Sequence, residues 1–203
     1  PVIALQIKAA VRKHGARLTL IDPREIELAE FAEIHLRQRP GSDAALLNGI
    51  AHVIIEEGWL NLNFIGERTE GFDALAAHLR EWPPERAAEI SSVPVEQIVA
   101  AAELYATANA SAIFWAMGIT QHVSGTDNVK ALSNLALLTG QIGRPGTGLN
   151  PLRGQNNVQG ACDMGGLPNV YTAYQPVASE ANRAKFAQAW GVPAERLSLA
   201  PGL

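Results

Sequence analysis

Apolar residues recur along the first stretch of the chain at Ile3, Ile7, Ala10 and Val11, the i, i+4, i+7, i+8 spacing of an amphipathic helix over residues 2–14. Gly15 follows as a left-handed stop. Residues 16–21 form a short apolar run with β-branched members, which predicts a buried strand closed by Asp22-Pro23. A second short strand is expected at 34–36. The turn sequence Arg39-Pro40-Gly41-Ser42-Asp43 comes next, with Ser42 or Asp43 as the N-cap of a helix over 44–57. Leu46, Leu47, Ile50, Val53 and Ile54 share one face of that helix, and Gly58 ends it.

Further helices are expected at 72–82, stopped by Pro83-Pro84, briefly at 85–90, and at 95–108, an alanine-rich stretch introduced by Pro94. Residues 112–115 are the second convincing buried strand, and a polar loop from Met117 to Gln121 lies at its end. A helix over 126–138 carries Ala131, Leu132, Leu135 and Leu138 as its core stripe, and a last helix covers 180–190. Between these two, residues 143–166 are dense in glycine and lack apolar period. They are expected to be a long functional loop without secondary structure. The alternation of helices and short strands predicts an α/β fold, a Rossmann-like layered domain with a partly parallel sheet.

Composition changes this picture mainly by exclusion. The 203 residues are 47% hydrophobic and 18% charged, with a net charge of −4 and no block of like charges. That leaves no electrostatic footprint for nucleic acid or an anionic membrane. No apolar run approaches the ~18 residues a membrane span needs. The lone Cys162 cannot form an internal disulfide or a cysteine-rich metal site, and it fits a reducing, cytoplasmic setting. The chain starts at Pro1 with helix-like sequence at once, and it is read as an internal fragment.

In an open α/β sheet, ligands gather beyond the carboxyl ends of the strands. Three segments occupy that position: Asp22-Pro23-Arg24, Gly41-Ser42-Asp43, and Met117 to Gln121. A carboxylate there can accept two hydrogen bonds from a ribose diol or a guanine edge. Equally, Asp22 can be a turn-former before proline and Asp43 a plain helix cap. No G-x-G-x-x-G is present. The string Arg153-Gly154-Gln155-Asn156-Asn157-Val158-Gln159-Gly160 sets one guanidinium among four side-chain amides. An arginine fork matches a small carboxylate bidentately, and the amides offer both donors and acceptors to a heterocycle. The five histidines have no metal-ligand spacing, and Cys162 has no cationic neighbour in sequence, which favours a packed, inert thiol.

The tract from Gly143-Arg144-Pro145-Gly146 through Arg153-Gly154-Gln155-Asn156-Asn157-Val158-Gln159-Gly160-Ala161-Cys162-Asp163-Met164-Gly165 resembles the active-site tract of formate dehydrogenase alpha subunits. These belong to the molybdopterin oxidoreductase superfamily. The likeness extends upstream through Trp115-Ala116-Met117-Gly118-Ile119-Thr120-Gln121 and Ile21-Asp22-Pro23-Arg24, so it covers almost the whole chain.

The resemblance implies a bis-molybdopterin guanine dinucleotide cofactor holding molybdenum or tungsten. By motif, Asp22, Arg24, Gly41 and Asp43 would hold a guanine nucleotide end, Met117 and Gln121 would line the pterin cofactor, and Gln155 would contact it near the metal. Arg153 would orient formate for oxidation to CO2. Residues 1–155 would form the nucleotide-binding domain, and 156–203 would begin its neighbour. The metal ligand and the cysteines of a [4Fe-4S] cluster would lie upstream of this region, so no metal ligand is expected here and the fragment alone would be inactive. Electrons would pass to a partner subunit or acceptor linked to NAD, ferredoxin or a hydrogenase. Tyr171-Thr172-Ala173-Tyr174 departs from the family's common Tyr-Pro-Gly-Tyr. The rival readings are another molybdenum enzyme such as a nitrate reductase, a metal-free scaffold like the large iron–sulfur subunit of respiratory complex I, and a generic nucleotide-binding domain.

Overall fold

The computed structural model describes residues 2–202 and divides into two compact units, residues 1–152 and 153–203. In the first unit the order is α1 (Val2–His14), β1 (Thr19–Ile21), β2 (Ile34–Leu36), α2 (Asp43–Glu56), α3 (Leu62–Arg68) and α4 (Phe72–Leu79). It continues with α5 (Pro84–Ser91), α6 (Val95–Thr107), β3 (Ala112–Trp115), α7 (Met117–Thr120), α8 (Gly125–Thr139) and β4 (Gly148–Pro151). β1 pairs with β2 in parallel, Leu20 opposite His35, and β3 pairs with β4 in parallel, Phe114 opposite Asn150. The α/β class holds, with the parallel strands arranged as two separate pairs.

α2 is the centre of the unit. It is apolar around most of its circumference, burying Leu46, Leu47, Ile50, Val53 and Ile54, and it packs against α4, α5, α6 and α8. A helix apolar all round must be enclosed, and each such side chain contributes about 1.5–3 kcal/mol on burial. Gly49 permits the closest of these approaches: a Cβ there would stand 2.4 Å from the Cβ of Ala87 on α5. Ile98, Ala102, Leu132, Leu135 and Leu138 from α6 and α8 complete the core.

Buried polar groups tie the second strand pair to the helices. Gln141, 2% exposed, donates to the Ala108 carbonyl (2.8 Å) and accepts from Ser111 N (3.0 Å) and from the Arg144 guanidinium (3.0 Å). The turns leading into β3 and β4 are therefore fixed to one another with no amide left unsatisfied.

Several elements differ from the sequence expectation. α3 has only Ile65 buried, too sparse an apolar pattern to register, and is started by the Asn61 side chain accepting from Phe64 N at 3.0 Å. Met117–Thr120 is a single helical turn rather than an open loop. Residues 143–166 are not free of secondary structure: β4 and α9 (Val158–Asp163) fall within them. β4 has no periodicity of its own and is a strand because β3 supplies its partner.

The second unit contains α9, the antiparallel pair β5 (Val170–Tyr171) and β6 (Gln175–Pro176), and α10 (Glu180–Trp190). A small aromatic core holds it, with the Tyr171 and Phe186 ring centres 4.6 Å apart and Trp190 5.1 Å from Phe186. Between β5 and β6 the chain turns through Ala173 (φ 59°) and Tyr174 (φ 56°), left-handed conformations that disfavour any side chain.

Candidate functional site

β1 ends in a turn that uses its own acid. Asp22 Oδ1 accepts from Arg24 N (2.8 Å), and the Arg24 Nε lies 3.7 Å from the same oxygen. The Asp22 backbone is tied to the end of β2, its N–H donating to Leu36 O (3.2 Å) and its carbonyl facing His35 Nε2 (3.0 Å). Part of the carboxylate is therefore engaged in holding the turn, while the Arg24 side chain is 80% exposed and available to a ligand.

The segment after β2 is more enclosed. Gly41 takes φ +85°, the left-handed region, and no atom lies within 4 Å of where its Cβ would be. Glycine is needed there for the bend into α2 rather than for crowding. Ser42 occupies the N-cap position, but its hydroxyl donates to Arg39 O (2.6 Å) instead of capping the helix. Asp43, in the first turn of α2, is only 5% exposed. Its Oδ1 accepts from Gln38 Nε2 at 3.1 Å. Gln38 is itself 6% exposed, and its Oε1 is buried without a partner. A helix start favours a carboxylate through the unpaired N–H groups and the helix dipole. One donor is few for a buried carboxylate, which has room for about four.

β3 ends at Trp115 and leads into α7. Gln121 Nε2 lies 3.4 Å from Met117 Sδ, and both side chains are exposed. The turn is held from α8: fully buried Asn128 donates to Ile119 O (2.9 Å), and Gly125 packs so closely that a Cβ would fall 2.0 Å from Thr120 O. His122, in the turn before α8, places Nε2 2.8 Å from Gly118 O and 3.9 Å from Asp43 Oδ2. This approach brings the end of β2 and the end of β3 to one edge. Gly41 and Asp43 thus share that edge with Met117 and Gln121, and Asp22 and Arg24 adjoin it through the β1–β2 pairing.

Arg153 and Gln155 belong to the second unit, where both are exposed. The backbone leading to Arg153 stays tied to the sheet edge, since Leu152 N donates to Trp115 O at 2.7 Å. The amide-rich string is divided in its work. Asn157 (φ 50°) caps α9 by accepting from Gly160 N at 3.3 Å, and its side chain lies so close to Gly160 that a Cβ there would stand 2.5 Å from Asn157 Nδ2 and push the capping side chain aside. Gln159 donates to Asp163 (3.1 Å) and to the Tyr174 hydroxyl (3.0 Å). Gln155 and Asn156 remain exposed, and the Cys162 thiol is half-buried. Burial raises the pKa of Tyr174 foremost, with the nearby Asp163 adding to the shift.

Sequence reasoning passed over Gln38, His122, Gly125 and Asn128. Gln38 carried a weak signal as a polar residue immediately before a Pro-Gly turn; the others act through spacing that only the packed helices reveal.

Among the described residues no helix is long and apolar enough to cross a membrane. The profile of a family described as Molybdopterin oxidoreductase matches residues 1–196. Formate dehydrogenase H of Escherichia coli (strain K12) is 47% identical over 192 residues, 95% of this chain and 27% of that protein. The F420-dependent formate dehydrogenase 1 subunit alpha of Methanococcus maripaludis is 49% identical over 190 residues, 94% of this chain and 28% of that protein. Among solved structures, acetylene hydratase from Pelobacter acetylenicus matches with a TM-score of 0.67 and 32% identity, covering 70% of this chain and 19% of that one. The chain spans about a quarter of the length of the curated relatives it matches.

Proposed function

Because this chain belongs to the molybdopterin oxidoreductase family, we propose that it forms part of a formate dehydrogenase that oxidises formate to CO2 with release of two electrons and a proton. The observation that carries this reading is the exposed Arg153, one residue beyond the backbone tie at the end of β4. The chain's relatives at 47–49% identity are named formate dehydrogenases.

The residues fit a molybdopterin guanine dinucleotide. Asp43 is a nearly buried carboxylate with one hydrogen-bond donor and spare acceptor capacity, as a guanine edge or ribose diol requires. In this reading Asp22, Arg24, Gly41 and Asp43 hold the guanine nucleotide end, Met117 and Gln121 line the pterin, and Gln155 contacts it toward the metal. Residues 1–155 are then the nucleotide-binding domain, running three residues past the first compact unit, which ends at Leu152, and 156–203 open the next one. When bound, the molybdenum or tungsten centre would supply the two-electron redox chemistry.

Arg153 does what a guanidinium does well. It grips both carboxylate oxygens, so that formate has one orientation and its C–H bond points away from the fork. Iron–sulfur transfer to a partner subunit, in a cytoplasmic enzyme, completes the proposal.

Arg153→Lys in the full-length protein tests it. An ammonium can replace one charge-assisted hydrogen bond of the fork, not both, and each contributes about 1.5–3 kcal/mol. The kcat/KM for formate is expected to fall roughly 10- to 100-fold, with metal and pterin content unchanged. Undiminished formate turnover would refute the role of Arg153. A fully loaded wild-type protein that ignores formate but reduces another substrate would refute the formate assignment.

A further inference from the structure

Two successive carbonyls of the Met117–Thr120 turn are hydrogen-bonded by His122 and by Asn128 of α8, and the third packs closely on the first residue of α8. His122 takes Gly118 O (2.8 Å), Asn128 takes Ile119 O (2.9 Å), and Thr120 O fills the space left by the missing Cβ of Gly125. Of the three, only His122 also faces another segment, with Asp43 Oδ2 3.9 Å from the same Nε2.

A carbonyl oxygen can only accept, so Nε2 of His122 carries a hydrogen. Asp43 is constrained on its other oxygen by Gln38. The Gln38 amide cannot turn over without setting its own oxygen against the carboxylate, and it keeps its orientation although Oε1 is left buried and unpartnered. Asp43 therefore has a fixed side, held by Gln38, and an adjustable side, faced by His122. At 3.9 Å the latter contact is electrostatic rather than a hydrogen bond. The imidazole is 29% exposed, so it lies at the surface of the strand-end edge rather than in the core.

We propose that His122 is a positioning residue of the cofactor site, coupling the turn that carries Met117 and Gln121 to the Asp43 carboxylate. This inference rests on the cofactor reading above. Its Nε2–H anchors the turn through Gly118 and holds the positive edge of the ring toward Asp43. The two segments thereby keep one spacing whether or not a ligand lies against them. A histidine that merely stabilised its own turn would affect unfolding alone; a coupling residue affects how long the guanine end is retained.

The test uses the full-length protein with His122→Phe, which keeps the ring but removes the donor, and His122→Gln, whose Nε2 can replace it. Three quantities are read: the unfolding temperature, the guanine nucleotide released per chain on acid hydrolysis, and the rate at which pterin and metal are lost on extended gel filtration. The expected result is a His122→Phe protein that unfolds near the wild-type temperature, carries several-fold less guanine nucleotide and loses pterin several-fold faster. His122→Gln should recover most of both. His122→Leu, which also lacks a side-chain donor, serves as the second donor-free variant if the phenylalanine is not accommodated.

Equal guanine content and equal loss rates in wild type and the donor-free variants overturn the coupling and leave the cofactor reading intact. Failure of glutamine to improve on the donor-free variants overturns it too. A wild-type protein free of pterin and guanine overturns the cofactor reading, and this inference with it.

Discussion

Replacing Gly49 by alanine sets two effects of opposite sign against each other. Gly49 lies in the interior of α2, where Gly→Ala normally stabilises a helix by about 0.8–1 kcal/mol. Here the added Cβ would meet the Ala87 Cβ at 2.4 Å and the Ile98 Cγ2 at 3.8 Å. Ordinary carbon–carbon contact is about 3.5–4 Å, so α2 and α5 must separate by roughly 1 Å. Neither side of the clash is the flexible end of a long side chain; both atoms move only with their backbones. A radial gap of that size forfeits roughly a quarter to a half of each contact's attraction, and overpacking of this kind costs about 1–3 kcal/mol or more.

An approach of 2.4 Å puts the cost in the upper part of that range, so overpacking should win, with a net loss of about 1–2 kcal/mol and an unfolding temperature lower by roughly 2–8 °C for a chain of this size. The displacement also reaches the site, since Arg39 N donates to Ser91 O at the end of α5 (2.7 Å) just before the turn into α2. Thermal and urea unfolding measure the loss. Gly49→Ala combined with Ala87→Gly should regain most of it by moving the methyl from one helix to the other. A Gly49→Ala protein as stable as wild type or more so would show that the α2–α5 approach is not rigid, and the reasoning would fail.

Two further outcomes are expected. The Tyr105 hydroxyl is buried without a hydrogen-bond partner, and its pKa is pushed up to about 12 by that burial, Thr139 pulling slightly the other way. The fold therefore favours the neutral phenol. That contribution is complete below the unfolded value of about 10 and is lost as pH rises through about 12, amounting to roughly 3 kcal/mol. Tyr105→Phe should leave neutral-pH stability equal or slightly higher and flatten the decline in unfolding temperature between about pH 10 and 12; an unchanged alkaline decline would contradict this. Ala173→Gly relieves a left-handed alanine, a gain of about 1–2 kcal/mol against about 0.5–1 kcal/mol of added chain entropy. It should raise the unfolding temperature of the protein by a few degrees, and a lower one would mean that the turn is not strained.

The sequence by itself carried what is local or specific in composition. The amphipathic period of α1, the apolar face of α2, the existence of strands at 34–36 and 112–115 and the stop at Gly58 were legible because short-range spacing and glycine chemistry determine them, although 112–115, expected to be buried, leaves Phe114 46% exposed. The residues after each strand could be singled out for the same reason, and the Arg153 string drew notice through its amide density.

Tertiary structure decided whatever depends on a partner distant in sequence. β4 becomes a strand only beside β3, and Met117–Thr120 becomes a helical turn with its Gly118 and Ile119 carbonyls held by His122 and by Asn128 of α8. Asp43 was open to reading as a plain cap until packing buried it and Gln38 bonded it. Two of the four amides near Arg153 proved to serve α9 and the Tyr174 turn. His122 had no motif to announce it, because its role lies in a distance across two loops, and a distance of that kind exists only once the helices have packed.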